Sequence, residues 1–266
     1  MTLIRSGIKQ IRVIDYDTVT LSSLNRHAFA FRSDVGKLKV RVVKEYAAKI
    51  NPNIDVEGIE DAFDASYAEK YILSGNPDYV IDCIDDLDAK CELLEFCEKK
   101  GLRVISSMGA GGKMDASCIR FSDFNSIKRE KLAKRLRILY KKKYGKVIPN
   151  IKSVYSIEAA KGLTDLEEHQ KGNPEDYRIN ENERVRSLPV FASIPAIFGQ
   201  ALASVVLTDL AGMKILSLGE IDSNVAQVEI EKEKIGNVLI SKLVEDFKKD
   251  EQKKNNMYLI LNKILN

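Results

Sequence analysis

Cysteine is scarce in this 266-residue chain: there are four, and no two of them form a CxxC pair. The scarcity argues against a disulfide-stapled secreted domain, and the spacing argues against a thiolate zinc site. Only 15 glycines and six prolines are present, which excludes a collagen-like or low-complexity chain. The residues after Met1 lack the charged and apolar regions of a secretory signal. The sequence therefore predicts an intracellular protein in a reducing compartment, most simply the cytoplasm.

A long unbroken apolar run is also lacking. Residues 187–208 carry no charge, but Pro195, Gly199 and Gln200 interrupt the stretch. A membrane-spanning helix needs about 20 predominantly apolar residues. We therefore expect a buried core helix or a dimer-face helix here, and no stable membrane span.

Positive charge is concentrated in one segment. The net charge is only +3, yet residues 128–152 contain eleven Lys and Arg residues and one acid, Glu130, which gives this segment +10. Such a block can neutralise nucleic-acid phosphates, and it can equally be a solvated helix face. The following residues 160–187 are polar, contain Gly172-Asn173-Pro174, and are typical of a loop.

Strands and helices alternate through the first half of the chain. Predicted strands cover Ile11–Asp15, Asp78–Asp82 and Leu102–Ser106; predicted helices run from a Ser33 cap to Ile50 and from Leu87 to Lys100, with Gly101 as a C-terminal cap. This alternation indicates an α/β fold with a parallel sheet. Ligands of such sheets bind beyond the carboxyl ends of the strands, where Asp15 and the acids of residues 82–86 fall.

An ordered set of short motifs surrounds these strand ends. The motifs are IDYDTV at 14–19, LSSLNR at 21–26, VGKLK at 35–39, INP at 50–52 and DCIDD at 82–86. The set resembles the adenylate-forming ThiF/MoeB family, which includes ubiquitin-activating enzymes and has the pattern D-x-D-x-V, S-N-L-x-R, G-x-x-K, I-N-P and D-C-x-D-N. Five motifs in order over about seventy residues are far more specific than any single one. Ser23 and Asp86 stand here where the family has Asn.

The resemblance implies a Rossmann-like, mostly parallel sheet with helices on both faces, and it implies ATP and Mg²⁺ as cofactors. Asp15 would accept the ribose hydroxyls, Arg26 and Lys39 would hold polyphosphate, and Asp85 would be the magnesium ligand. The implied nucleotide contacts are Asp15, Asp17, Ser23, Arg26, Lys39, Asp85 and Asp86, with Arg26, Lys39 and Asp85 as the catalytic residues. Taken singly, Asp15 could also be a helix cap, and the two cations could be solvated surface.

The second half of the chain narrows the resemblance to one branch. GAGGKMD at 109–115, SVYSIE at 153–158, RSLPVF at 186–191 and PAIFG at 195–199 are similar to the tRNA threonylcarbamoyladenosine dehydratases, especially fungal ones. With these motifs the resemblance extends over residues 3–213. That branch activates the threonyl carboxylate of the modified nucleoside next to the anticodon, which then cyclises with loss of water.

The partners implied are this modified tRNA, a second copy in a homodimer, and a sulfur-relay or carrier protein. The basic segment would contact tRNA through Lys134, Arg135, Arg137, Lys141, Lys142 and Lys143. Some fungal relatives are associated with the mitochondrial outer membrane, which is the alternative location. We expect an adenylation domain over residues 1–218 and a strand and helix extension over 219–266, with 128–152 as a basic insert and 160–187 as a crossover loop.

Relatives begin with a strand and a G-x-G-G-x-G-S loop, neither of which the sequence contains before Asp15. We expect a fold without its first strand and glycine loop, through a missed upstream start or exon or through degeneration of the site. The survival of Arg26, Lys39 and Asp85 favours the first explanation. Gly109–Lys113 precedes another predicted strand, so we interpret it as a turn near the active site and not as a phosphate loop.

Three other functions stay open. The protein could activate a ubiquitin-like or sulfur-carrier protein, although residues 165–186 offer no thiol. It could be a non-catalytic tRNA-binding relative that lost ATP use. An NAD-dependent dehydrogenase is less compatible, because the fingerprint glycines are not present. We expect Cys83, Cys91, Cys97 and Cys118 to take no covalent part in the reaction.

Overall fold

The computed structural model describes residues 1–160, 178–180, 183–184 and 189–213. Eight strands occur in these residues: β1 (Gln10–Ile14), β2 (Asp55–Ile59), β3 (Val80–Asp82), β4 (Val104–Ser107), β5 (Ile119–Asp123), β6 (Lys152–Ser156), β7 (Arg178–Asn180) and β8 (Glu183–Arg184). The helices are α1 (Thr2–Arg5), α2 (Lys39–Ile50), α3 (Ala68–Tyr71), α4 (Leu87–Lys100), α5 (Lys131–Tyr144) and α6 (Ser193–Leu210).

The predicted parallel α/β architecture is confirmed. β1 and β2 pair in parallel, and a four-stranded sheet has the order β3-β4-β6-β5, in which only β5 runs antiparallel. Among the described strands, β1 and β3 each have one neighbour in their sheet, so the parallel strands occur in two groups. β7 and β8 form a short antiparallel pair inside the segment predicted as a loop.

Helices cover both faces of the four-stranded sheet because side chains alternate along each strand. On one face, Leu94 of α4 and Leu136 and Tyr140 of α5 share a buried cluster with Tyr155 of β6. On the other face, the neighbouring Val154 packs with Ile105 of β4 and with α6. The two faces are therefore buried by separate apolar clusters.

The apolar stretch around residue 200 forms α6, whose 18 residues are long and apolar enough to cross a membrane by length and composition. Its residues Ile194, Phe198, Leu202, Val205 and Val206 are buried against β4 and β6. This packing matches the predicted core helix. The opposite side of α6 keeps Ala196, Gln200 and Ser204 exposed.

The predicted start of α2 is wrong. Ser33 belongs to a separate 3₁₀ turn, Arg32–Asp34, and the helix begins at Lys39. Gly36 adopts φ +91°, which breaks the helix, and Leu38 instead pairs with Thr18 in an antiparallel bridge. A tertiary contact therefore overrides the local capping signal and brings the start of α2 beside Asp17.

The chain divides into two compact units, Met1–Ser217 and Leu218–Asn266. The predicted strand and helix extension over 219–266 lies outside the described residues, as does most of the predicted loop over 160–187.

Candidate active site

Three charged side chains meet where β1 ends. Lys39 Nζ lies 2.5 Å from Asp17 Oδ2 and 3.9 Å from Asp15 Oδ2. The backbone fixes the group as well: Asp17 N–H donates to Asp15 Oδ1 at 2.8 Å, and Lys39 N–H donates to the Asp17 carbonyl at 2.9 Å. The three side chains keep between 24% and 35% of their surface exposed, so a ligand can reach them.

The electrostatics of this group suit an anionic carboxylate next to a cation. Burial raises the pKa of Asp15, while the Asp17 N–H and the Lys39 charge lower it and offset part of that effect. Burial, followed by the Lys39 charge, lowers the pKa of His27, which keeps this imidazole neutral at pH 7. Nδ1 of His27 is buried and has no hydrogen-bond partner among the described residues.

The structure places Ser23 and Arg26 on a short turn that follows this group. The Ser23 hydroxyl is buried and exchanges hydrogen bonds with Thr20 in a capping box. Arg26 is exposed, and its Nη1 donates to the Ser22 carbonyl at 2.7 Å and to Asn25 Oδ1 at 3.0 Å. The turn thus occupies the Ser23 side chain, while the Arg26 guanidinium lies at the surface.

The loop after β3 carries the remaining predicted site acids. Asp86 is the N-cap of α4, and its Oδ1 accepts from Ala89 N–H at 2.9 Å. Asp85 is exposed, and within the described residues its carboxylate has no hydrogen bond or ion pair. Asp86 therefore stabilises a helix end, while Asp85 has a carboxylate free for a ligand.

The predicted site residues fall into two groups in the structure. Asp15, Asp17 and Lys39 form one group, and Asp85 and Asp86 form the other, with no ion pair between the groups in the described part of the chain. That part also holds no cluster of three or more His, Cys, Asp or Glu side chains suited to a metal ion. Asp85 alone still fits Mg²⁺, which uses one or two carboxylates and completes its shell with water and phosphate oxygens.

The basic segment forms α5, whose cations fall into two classes. Lys134, Arg135, Lys141 and Lys142 are exposed and make no ion pair with any described residue. Arg137 instead donates to the carbonyls of Phe124 and Ile127, and Lys143 lies 2.7 Å from Glu92 of α4. Two of the six predicted tRNA contacts, Arg137 and Lys143, thus make contacts with other residues of the protein.

As predicted, Gly109–Lys113 forms a turn that is followed by a strand, β5, and not by a helix N-terminus. A 3₁₀ turn at Ala116–Cys118, which was not predicted, lies between the two. Lys113 is buried, and its Nζ donates to the Gly109 carbonyl at 2.6 Å. The same Nζ lies 3.5 Å from Oε1 of Glu130, the residue that caps α5. Burial lowers the pKa of Lys113, and Glu130 opposes that shift.

A second lysine, Lys90, is also buried and pairs with Asp82, and its burial was not predicted from the sequence. A signal was available, because Lys90 lies on the same side of α4 as the apolar residues Leu87, Cys91 and Leu94. A lysine on the buried stripe of a helix requires an acidic partner. The Lys113–Glu130 pair had no comparable periodic signal.

The buried thiols have the properties of inert core groups. Cys91 and Cys97 lie inside α4, and burial raises the pKa of their thiols to about 11 and about 12 respectively. A thiol with such a pKa is almost entirely protonated at pH 7 and is a poor nucleophile. The absence of a covalent role for the cysteines remains a prediction.

Known proteins with similar sequences include several tRNA threonylcarbamoyladenosine dehydratases. The chain is 36% identical over 217 residues to tRNA threonylcarbamoyladenosine dehydratase 2 of Saccharomyces cerevisiae, covering 79% of this chain and 48% of that protein. It is 32% identical over 156 residues to tRNA threonylcarbamoyladenosine dehydratase of Escherichia coli, covering 59% and 58%. The chain thus spans about half the length of the yeast relative.

Solved structures agree with these similarities. The crystal structure of E. coli tRNA N6-threonylcarbamoyladenosine dehydratase in complex with ATP superposes with a TM-score of 0.66 at 26% identity, covering 79% of each chain. The complex of that enzyme with AMP gives a TM-score of 0.65 at 27% identity. The ThiF family profile matches residues 1–242, and the resemblance found in the motifs is thereby confirmed: the chain belongs to the ThiF family.

Proposed function

We propose that the protein is an ATP-dependent tRNA threonylcarbamoyladenosine dehydratase. The observation that carries the proposal is the group formed by Lys39, Asp15 and Asp17 at the carboxyl end of β1. A strand-end acid suits ribose hydroxyls, and a lysine beside it suits phosphate charge. The similarity to an enzyme crystallised with ATP supports ATP as the nucleotide.

The proposed chemistry has two steps. An oxygen of the threonyl carboxylate forms a bond to the α-phosphorus of ATP, and the bond from that phosphorus to the bridging oxygen breaks, releasing pyrophosphate. The carbamoyl group of the same nucleoside then attacks the acyl carbon through its nitrogen or oxygen, loses a proton to solvent, and expels AMP. AMP leaves with one carboxylate oxygen, so the tRNA has lost one water.

In this mechanism the residues of the chain bind, orient and neutralise charge. Asp15 holds the ribose, Lys39 neutralises negative charge that develops on the phosphates, and Asp17 keeps the Lys39 ammonium in place. Arg26 provides a second cation from the exposed turn. Asp85 would hold Mg²⁺, which when bound adds positive charge at the phosphate oxygens. Once the adenylate is held in place, the second step is intramolecular and entropically favoured.

The tRNA substrate is part of the same proposal. The exposed face of α5, defined by Lys134, Arg135, Lys141 and Lys142, offers four cations that are free of protein partners within the described residues. Such a surface suits the phosphate backbone, which contributes much of nucleic-acid affinity. A homodimer and a cytoplasmic location complete the proposal, and sedimentation and cell fractionation test them.

The proposal predicts ATP-dependent cyclisation by the purified protein. Incubation with tRNA that carries threonylcarbamoyladenosine, with ATP and Mg²⁺, should convert the nucleoside to its dehydrated form, as measured by mass spectrometry of tRNA digests. Asp85→Ala should lower the rate by a factor on the order of 10² or more. Asp78→Ala is the matched control. Asp85 follows the carboxyl end of β3, whereas Asp78 precedes its opposite end.

Three outcomes would contradict the proposal. Cyclisation that proceeds without ATP would remove adenylation from the mechanism. A protein that binds tRNA but neither binds nor hydrolyses ATP would support the non-catalytic tRNA-binding alternative. Transfer of AMP to a carrier protein, with modified tRNA left unchanged, would support the activating-enzyme alternative.

A further inference from the structure

A fully buried ion pair lies beneath the loop that carries Asp85. Lys90 Nζ of α4 is 2.8 Å from Asp82 Oδ2 at the end of β3, and neither side chain is exposed. A buried pair of charges loses its hydration, and replacement by apolar side chains of similar volume is often neutral or stabilising. Fold stability alone therefore does not account for this pair.

The remaining polar contacts of the pair go to one loop residue, Ile84, and to one serine. Lys90 Nζ donates to the Ile84 carbonyl at 2.8 Å, and the Ile84 N–H donates to Asp82 Oδ1 at 3.0 Å. Ser106 on the adjacent strand β4 donates to Asp82 Oδ2 at 2.6 Å and so fixes the orientation of that carboxylate. Both backbone polar groups of Ile84 are thereby held by the pair.

Asp85 lies between two fixed residues. Ile84 on its N-terminal side is held by the buried pair, and Asp86 on its C-terminal side is held as the N-cap of α4. The Asp85 side chain itself is exposed and makes no hydrogen bond or ion pair with a described residue. Its position therefore depends on the backbone, and the backbone depends on the pair.

We propose that Asp82 and Lys90 are positioning residues that hold the Asp85 carboxylate in the geometry needed at the triphosphate. The inference rests on the proposed function, in which Asp85 acts at the metal and phosphate groups. Loss of an outer partner of a ligand typically costs 10- to 100-fold in metal affinity or activity. Loss of the pair should have an effect of that size without removing any group that touches the nucleotide.

The test uses a double variant, Asp82→Leu with Lys90→Met, because both changes remove the polar contacts to Ile84, whereas loss of one partner alone would leave an unpaired buried charge and could prevent folding. The matched control is Glu69→Gln with Lys100→Met, which removes an exposed ion pair of 2.6 Å at the other end of α4. Hydrogen exchange of the Ile84 amide should become at least about tenfold faster in the first variant and stay unchanged in the control. Unchanged exchange in the first variant would overturn the proposal.

Kinetics distinguish positioning from a merely structural role. The Asp82→Leu, Lys90→Met variant should lower kcat for cyclisation by about 10- to 100-fold and raise the Mg²⁺ concentration needed for half-maximal rate. In an Asp85→Ala background the same two changes should cost no more than about twofold, because the group they position is already gone. A full additional loss in that background would overturn the inference. If the unmodified protein shows no ATP-dependent activity, the proposed function fails, and the exchange measurement alone decides whether the pair holds the loop.

Discussion

Lys39 illustrates how a single residue is placed by contacts distant in the sequence. It is the first residue of α2, yet its position follows from backbone hydrogen bonds between residues 17–19 and 36–39, including Lys39 N–H to the Asp17 carbonyl at 2.9 Å. Its ammonium pairs with Asp17 and lies near Asp15. Lysine at this position therefore contributes a charge to the site and a stabilising field for the neighbouring carboxylates.

Replacement of Lys39 by Ala should slow ATP–pyrophosphate exchange by a factor on the order of 10² or more, because the proposed mechanism uses this cation to neutralise developing phosphate charge. The pKa of Asp15 is already raised by burial, and Lys39 counteracts that shift, so its loss should raise the pKa further. The proposed nucleotide binding requires ionised Asp15. On acidification, the variant should therefore lose nucleotide binding at a higher pH than the unmodified protein does. Binding titrations across a pH series measure this change.

Lys37→Ala provides the control for this prediction. Lys37 is two residues away, is exposed, and pairs with Asp34 at 2.9 Å instead of with the strand-end acids. Its removal should leave both the exchange rate and the acidic limb of binding near those of the unmodified protein. Equal losses in the two variants would mean that the segment, and not the Lys39 charge, determines binding.

Helix α5 carries some cations that are exposed to solvent and others that contact the rest of the protein. Joint replacement of Lys134, Arg135, Lys141 and Lys142 by Ser should lower tRNA affinity and flatten its dependence on salt, since each neutralised phosphate releases condensed counterions. The logarithmic slope should decrease by up to about 0.9 for each phosphate that the variant no longer neutralises. Filter binding at several salt concentrations measures the slope.

The control for α5 is replacement of Lys143 and Lys146, which pair with Glu92, Glu95 and Glu98 of α4. These changes should lower the melting temperature and leave the salt dependence of tRNA binding nearly unchanged, because the partners of both lysines lie within the protein. If the four exposed cations can be removed with no change in slope, then the exposed face of α5 is an ordinary solvated surface.

The contact between α4 and α5 should also make stability depend on pH. Burial raises the pKa of Glu95, but hydrogen bonds from Tyr140, Lys146 and Lys99 outweigh it and lower the pKa to about 2 from an ordinary value of 4.5. Because the folded pKa lies below the ordinary one, the stabilisation is complete above pH 4.5 and is lost as the pH falls toward 2. Glu95→Gln should reduce the loss of stability across this range.

Urea unfolding at successive pH values measures the effect of Glu95→Gln. Glu45→Gln, an exposed change on α2, is the control and should leave the pH profile as it was. A profile that is identical for the unmodified protein and Glu95→Gln would show that the hydrogen bonds to Glu95 do not stabilise the folded state.

In the molecule as a whole, the boundaries of an element follow from the sequence where local and tertiary preferences agree. Helix α4 begins at Leu87 and ends before Gly101 as predicted, because the Asp86 cap, the apolar periodicity and the left-handed Gly101 all favour the same boundaries. The start of α2 was mispredicted because the bridge between Thr18 and Leu38 joins segments about 20 residues apart, which no local signal reveals. Tertiary pairing also decided which cations of α5 remain exposed.

The site was predictable to a similar extent. Motif order predicted Asp15, Asp17 and Lys39 as nucleotide contacts, and the fold brings their side chains together at one strand end; their role in binding stays a prediction. The ion pair of Asp82 and Lys90 forms because the side of α4 that carries Lys90 faces the sheet. Ser106 of β4, which is distant from Asp82 in the sequence, donates a hydrogen bond to the Asp82 carboxylate. These contacts can be inferred only when the alignment of β3 with β4 is known.

The acids of α4 neutralise two cations at the C-terminal end of α5: Lys143 in its last turn and Lys146, which follows the Gly145 cap. Because these two cations have acidic partners, most of the unpaired positive charge of α5 lies on its exposed face, at Lys134, Arg135, Lys141 and Lys142. A polyanion approaching by diffusion experiences a torque that turns this side toward it before any contact forms. The association rate for tRNA should therefore fall with ionic strength more steeply than the dissociation rate rises, and a stopped-flow series in salt would show the difference.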